Sequence, residues 1–409
     1  MKENRENVSE LPVLWRKVWS IAAIQGAITL SWIIYSMYLP KLLVELGFAV
    51  GLAKVLVILE HALEALIEPT FGAFSDKQQR LIGSRIPIIS IGVILASAFF
   101  ISLPVVAIFG NPNSISRWFL PVFAVLWAAA MAIFRSPTIS LLKRSAPKDK
   151  LPQAASILTL VAGFIGAFRF DAYGIILSLG SGFAFFLGSV TLLLAMAALR
   201  FVQPPDPPAP ETTEKTPISF QIMGLILATG ISVGWGLRFL IPTISKGITL
   251  QLGESNTKLA MMGFFVALGL AALPAGKLAT KLGNSKAMLI GLVATIFSLQ
   301  LLVFIPNGFV TGIAIFVLVT GFSLVLNGAV SFVLGAVPEQ LSGLGIGIYY
   351  GGFGGAISLF DFIFSKLGGI PFTMGAIGGG ITFFSAAICI ALSIRLARDS
   401  ESNSQELII

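Results

Sequence analysis

Four ionisable side chains, Glu60, His61, Glu64 and Glu68, stand close together in the otherwise apolar run LVILEHALEALIEPTF. A helix turns about 100° per residue, so the three carboxylates would share about 80° of arc and form a single stripe. Adjacent carboxylates held away from water do not all stay ionised. Such a stripe suits proton uptake and release, and its hard oxygens would equally suit Na⁺. His61, the only histidine in the chain, lies on the same side and would share a proton with Glu64. Glu64, near the middle of its segment, is the expected coupling residue, tuned by Glu60 and His61. Arg135 sits in a second apolar run at the same depth as Glu68, so a Glu68–Arg135 pair is expected. The stripe could also simply pair with bases on its neighbours; the two readings are compatible.

A second charge layer lies about seven residues to the other side of the segment midpoints. It comprises Arg169, Asp171, Arg238 and Asp361. It reads either as an outer gate or as charges reaching for the membrane interface. Among uncharged polar residues, Gln25, Tyr35, Trp235 and Asn327 are candidate substrate contacts. Cys389, the single cysteine, lies in an apolar run and reads as a buried, inert thiol.

The elements that must position these groups follow from composition. Of 409 residues, 56% are hydrophobic and 11% charged, with a mean hydropathy of +0.92. Soluble domains carry about 25% charge, so this chain expects lipid around it. Its net charge of +8 does not point to nucleic acid, because the bases sit in short connectors between apolar runs. Runs of about 20 residues, enough to span a bilayer, fall at 18–40, 52–75, 86–109, 119–142, 153–176, 182–202, 218–242, 257–278, 287–306, 308–336, 343–367 and 371–395. The run behind the polar N-terminus has no small-residue cleavage site and reads as an uncleaved first span. Lys and Arg concentrate on the side that holds the N-terminus, which puts both termini in the cytoplasm.

The segment QPPDPPAPETTEKTP is rich in proline and should be extended. It divides an expected cytoplasmic tail (1–17) and six-span bundle (18–202) from a second bundle (218–395) and tail (396–409), with the linker at 203–217. The fold class expected is an all-α membrane protein of twelve transmembrane helices in two pseudo-symmetric six-helix bundles.

A repeat supports the division. After the second span comes Gly72-Ala-Phe-Ser-Asp76-Lys77, then Gly83-Ser84-Arg85; after the eighth comes Gly276-Lys277-Leu-Ala-Thr280-Lys281-Leu-Gly283. Glycine permits tight turns and close helix approach. An acid followed by bases can clamp a loop onto a neighbouring helix end. The equivalents of the stripe in the second half are Phe264, Leu268 and Ala272, so the fold itself does not require the acids.

These loops resemble the signature loop of the major facilitator superfamily, with Thr280 where an acid is usual. The first copy, with Arg135-Ser136-Pro137 and Pro338-Glu339…Gly347-Ile348-Tyr349-Tyr350, resembles the sucrose transporters and the glycoside–pentoside–hexuronide cation symporters. Departures stand at Ser84 and Ile86, where that branch has arginines, and at Lys143-Arg144, where an acid is common. The resemblance implies the major facilitator fold, with spans one, four, seven and ten lining a cavity and spans three, six, nine and twelve at the flanks. Those flanking spans carry no charge between their ends.

The chain has no Walker A loop, no dinucleotide fingerprint and no His/Cys metal cluster, and span five lacks a Gly-Pro pair. An enzyme is not indicated. The expected function is secondary active transport of a small solute, a sugar or similar compound, across the inner (plasma) membrane. H⁺ or Na⁺ would be the coupling ion, no cofactor is needed, and the unit would be a monomer in the lipid bilayer. Two alternatives are a proton-antiport exporter of a small organic compound and a non-transporting assembly or pigment-delivery factor on the same fold. Span eleven, dense in glycine from Gly343 to Gly355, reads as a close-packed or hinging helix.

Overall fold

The computed structural model describes residues 12–170, 173–203, 219–305 and 307–406. Apolar runs longer than a bilayer is thick become long helices: α1 (Trp15–Glu45), α2 (Leu52–Ile82), α3 (Ile86–Phe109), α4 (Phe119–Ser140), α5 (Leu151–Ala167), a short α6 (Tyr173–Ser178), α7 (Ser181–Val202), α8 (Phe220–Leu252), α9 (Glu254–Leu282), α10 (Asn284–Phe304), α11 (Gly308–Ala336), α12 (Ser342–Ile363) and α13 (Phe372–Glu406). No strand occurs among the described residues. Among the described residues, eleven helices are long and apolar enough to cross a membrane. The long helix left out is α2, whose stripe and basic C-terminal turn lower its hydropathy.

Span five differs from expectation. Its helix stops at Ala167 and the chain turns at 168–170 before the short α6. Arg169 falls in that turn, out of the apolar register. The proline-rich linker lies outside the described residues but for Gln203. Helix ends follow local chemistry elsewhere. Gly83 ends α2 in a left-handed conformation at φ 70°. Asn307 caps α11 by accepting from the N–H groups of Phe309 and Val310.

The same pairings occur in both halves. Within the first, α1 packs on α5 and α7, α2 on α4, and α3 on α4 and α7; within the second, α8 packs on α12 and α13, α9 on α11, and α10 on α11 and α13. The halves meet along two further seams related by the same symmetry, α2 with α12 and α5 with α9.

Glycine makes both seams possible. A Cβ on Gly347 would lie 2.3 Å from the Glu68 carbonyl oxygen, and one on Gly72 2.2 Å from that of Gly343. At the second seam a Cβ on Gly163 would meet the backbone of Gly269 at 2.7 Å. The helices therefore touch backbone to backbone.

Candidate functional site: a buried carboxylate cluster at the seam of the halves

The stripe of α2 turns inward. Glu60, Glu64 and Glu68 are 0%, 2% and 0% exposed. Each finds a partner on a different helix or turn. Glu60 accepts a hydrogen bond from the Tyr35 hydroxyl of α1. Glu64 contacts His61 Nδ1 at 3.3 Å and accepts from Arg135 Nη2 of α4 at 3.2 Å. Glu68 accepts from the Ser136 hydroxyl, and its Oε1 lies 2.6 Å from Arg135 Nε in ion-pair contact. One guanidinium thus serves two carboxylates. The geometry contains the expected Glu68–Arg135 contact and adds Glu64 to it.

Burial of these charges is tolerable because each is matched by an opposite charge or a hydroxyl. Three polar atoms of the cluster still lack a hydrogen-bond partner, Glu60 Oε2, Glu68 Oε1 and Arg135 Nε. The ring of Trp32 stacks on His61, with centroids 5.6 Å apart, and with Tyr35 and Trp127 it walls the cluster on the α1 side. The second half solves the same positions without charge. Ser323 and Asn327 of α11 donate to the Leu268 and Ala272 carbonyls of α9, at 2.9 and 2.7 Å.

The cluster abuts the other half through α12. A Cβ on Gly354 would lie 2.6 Å from Glu64 Oε2. Pro69, which lacks an N–H, releases the Ala65 carbonyl from its helical bond, and Gly351 allows that carbonyl close approach. Tyr350, also on α12, lays its ring 4.9 Å from the Arg135 guanidinium carbon.

Tyr350 also lines a cavity of about 250 Å³ between the halves. The walls come from α1 (Gln25), α5 (Leu158, Thr159, Ala162), α8 (Leu237, Ile241), α9 (Phe265, Leu268) and α11 (Phe322, Leu326, Val330). The cavity and the ionisable cluster share one side chain as a wall.

Of the four candidate substrate contacts, Gln25 lines this cavity and the other three are engaged elsewhere. Tyr35 bonds Glu60, Asn327 bonds α9, and Trp235 Nε1 donates to the Ala356 carbonyl of α12 at 2.6 Å. Sequence reasoning gave Ser136 and Tyr350 only as parts of motifs. The position of Ser136 beside Arg135 was the signal for the first. Tyr350 needed the inter-half contact, which has no local signature.

In the outer layer, Arg238 and Asp361 form an ion pair between α8 and α12. Both belong to the second half, so this pair does not itself bridge the halves. Arg169 lies in the turn after α5, and Asp171 falls outside the described residues.

The signature residues Gly72, Asp76 and Arg85 form a latch. Asp76 accepts from the Gly343 and Leu344 N–H groups, both at 2.8 Å, and so caps the N-terminus of α12. Arg85 reaches Asp76 at 2.6 Å and Ser342 Oγ at 3.0 Å, and also bonds Ser140. Nearby, Lys143 Nζ donates to the Leu334 and Val337 carbonyls, and Arg144 Nε meets Glu339 at 2.5 Å. These bonds join the halves at the end of the bundle that carries the basic loops. Lys77 is exposed. The second copy forms no such clamp among the described residues: Thr280 bonds back to Gly276, a Cβ on Gly276 would strike Ser156 of α5, and Lys281 and Gly283 are exposed.

This architecture is found in solved transporters. The human organic anion transporter MFSD10 (TETRAN) is 14% identical, with 94% of this chain and 100% of that one covered and a TM-score of 0.64. A bacterial homologue of the iron transporter ferroportin, solved in the outward-facing state with soaked iron, is 15% identical, with coverages of 94% and 98% and a TM-score of 0.68. At such identity the likeness shows the fold alone, and that fold is the major facilitator fold. No protein-family model matches the chain, and no curated protein matches it by sequence.

Proposed function

We propose that this chain is a secondary transporter that crosses the inner (plasma) membrane twelve times, with both termini in the cytoplasm. It moves a small solute by alternating access coupled to H⁺ or Na⁺. The observation that carries the reading is the buried Glu60–Glu64–Glu68–Arg135 cluster, which lies at the α2–α12 seam and shares Tyr350 with the inter-half cavity.

The twelfth crossing is α2, 31 residues long. At 1.5 Å per residue it is about 46 Å, ample for a bilayer. Its charges disqualify it by hydropathy, yet its four acids, Glu60, Glu64, Glu68 and Asp76, are buried against protein.

The mechanism follows from the shared wall. When a proton or Na⁺ neutralises Glu64, the Arg135 guanidinium loses one of two anchors and rests on Glu68 alone. Tyr350 lies on that guanidinium, so cation binding changes a cavity wall, and a solute pressing on Tyr350 changes the cation site. The latch at Asp76, Arg85, Lys143 and Arg144 holds the cytoplasmic end shut in this conformation. Rocking one half against the other breaks it. Cation and solute shift the equilibrium by their difference in affinity for the two states.

The test is uptake of labelled solutes into proteoliposomes under an imposed H⁺ or Na⁺ gradient, with wild type beside Glu64→Gln. The panel spans disaccharides, organic anions and apolar aromatic compounds. Gradient-driven flux that the variant loses supports the reading. No flux with either ion, in either gradient direction, overturns it.

A further inference from the structure

The inter-half cavity has a chemistry of its own, and the solute class it selects rests on the transporter reading. Apart from backbone, its polar side chains are Gln25, Thr159 and Tyr350. The Thr159 hydroxyl bonds back to the Ala155 carbonyl of its own helix. Gln25 Oε1 is buried and has no hydrogen-bond partner. No charged side chain lines the walls. The Arg135 guanidinium, which lies against the Tyr350 ring, is held by two carboxylates. The remaining walls are aliphatic and aromatic, with Phe265 and Phe322 on the second half.

We infer that the solute is an uncharged, largely apolar organic molecule that carries one hydrogen-bond donor for Gln25 Oε1. A sugar is poorly served here. Each hydroxyl left without a partner costs about 1–3 kcal/mol, and the walls offer few partners. This departs from the solute class that the loop motifs imply. An anion finds no cation among the lining side chains, and a buried charge without a partner is costly. An apolar ring gains from contact with Phe265, Phe322 and Tyr350. The volume is just below the ~300 Å³ lower end of common ligand pockets, which fits a compact molecule of one or two rings.

The experiment is equilibrium binding of tritiated indole to the full-length protein in lipid nanodiscs, without any gradient. The Leu268→Trp variant, which fills the cavity, defines partition into lipid. 1-Methylindole, benzoate and sucrose are competitors. Indole is expected to bind above the Leu268→Trp background. 1-Methylindole, without the donor, competes about tenfold more weakly, and Gln25→Leu weakens indole about tenfold while leaving 1-methylindole unchanged. Benzoate and sucrose do not compete at comparable concentration. Absence of indole binding above background, or stronger competition by benzoate or sucrose, overturns the inference. Because no gradient is imposed, that failure is separate from failure of the transport reading, which is a failure of flux.

Discussion

Removing Arg135 isolates the energetic core of the proposed site. The side chain is 14% exposed, while Glu64 and Glu68 are essentially buried. Breaking a buried ion pair from one side costs about 3–5 kcal/mol, because the surviving charge is stranded. Here two carboxylates are stranded, so Arg135→Gln belongs at the upper part of that range. At roughly 2 °C per kcal/mol for a long chain, its Tm should fall by about 8–10 °C. The charge-exchanged pair, Glu68→Arg with Arg135→Glu, keeps one cation between two carboxylates and should recover much of the loss. Cys389 provides the assay. It is the only cysteine and is partly buried, so a thiol-reactive fluorogenic dye reports unfolding directly. If the exchanged pair is no more stable than the worse single variant, the two groups are not coupled and the electrostatic account of the cluster is refuted.

Other expectations concern the seam and the latch. Gly347→Ala drives a methyl to 2.3 Å from the Glu68 carbonyl, where only backbone can yield. An overpacking cost of about 1–3 kcal/mol should outweigh the roughly 0.5–1 kcal/mol that alanine gains in a helix, lowering Tm. Gly224→Ala, with open space around it, should leave Tm unchanged or raise it; equal behaviour of the two variants would count against a tight seam. Asp76→Asn weakens the cap on α12 and the Arg85 pair. In a Cys389→Ser background, a cysteine replacing Val330, which is 7% exposed at the cavity, should then react faster from the cytoplasmic side, by about tenfold for each 1.4 kcal/mol of latch lost. An unchanged rate would show that the latch does not hold that end shut. The Arg144–Glu339 pair has side chains 31% and 47% exposed. Glu339→Gln should therefore cost under about 1 kcal/mol, read as a Tm within about 2 °C of wild type.

Much of the fold was legible because a bilayer imposes length and hydropathy on each crossing. The runs at 86–109 and 308–336 coincide with observed helices. The α2 run was legible for the opposite reason, since acids at i, i+4 and i+8 make a stripe that only a buried polar neighbourhood can hold. Glycines at 343, 347, 351 and 354 trace the α12 face that meets α2, yet sequence alone did not reveal the partner. The break after Ala167 coincides with the charges Arg169 and Asp171, which the length of the apolar run alone placed inside a continuous span. Tyr35, Trp235 and Asn327 have the chemistry of ligand contacts, but each bonds another helix, and only tertiary structure shows which polar group is already satisfied. Tyr350 is the clearest case. Only its place in the Gly347–Tyr350 motif marks it locally, and its contact with Arg135 arises across the halves.

The central claim is that cation movement and solute movement are linked through Glu64. It is tested most directly in reverse. Vesicles carrying wild-type protein and an internal dye for H⁺ or Na⁺ receive a solute gradient with no ion gradient imposed. The account predicts that the solute gradient alone drives ion flux, and that Glu64→Gln abolishes the ion flux while solute exchange persists. Ion flux that survives unchanged in Glu64→Gln, or solute movement in wild type with neither ion moving, would contradict it.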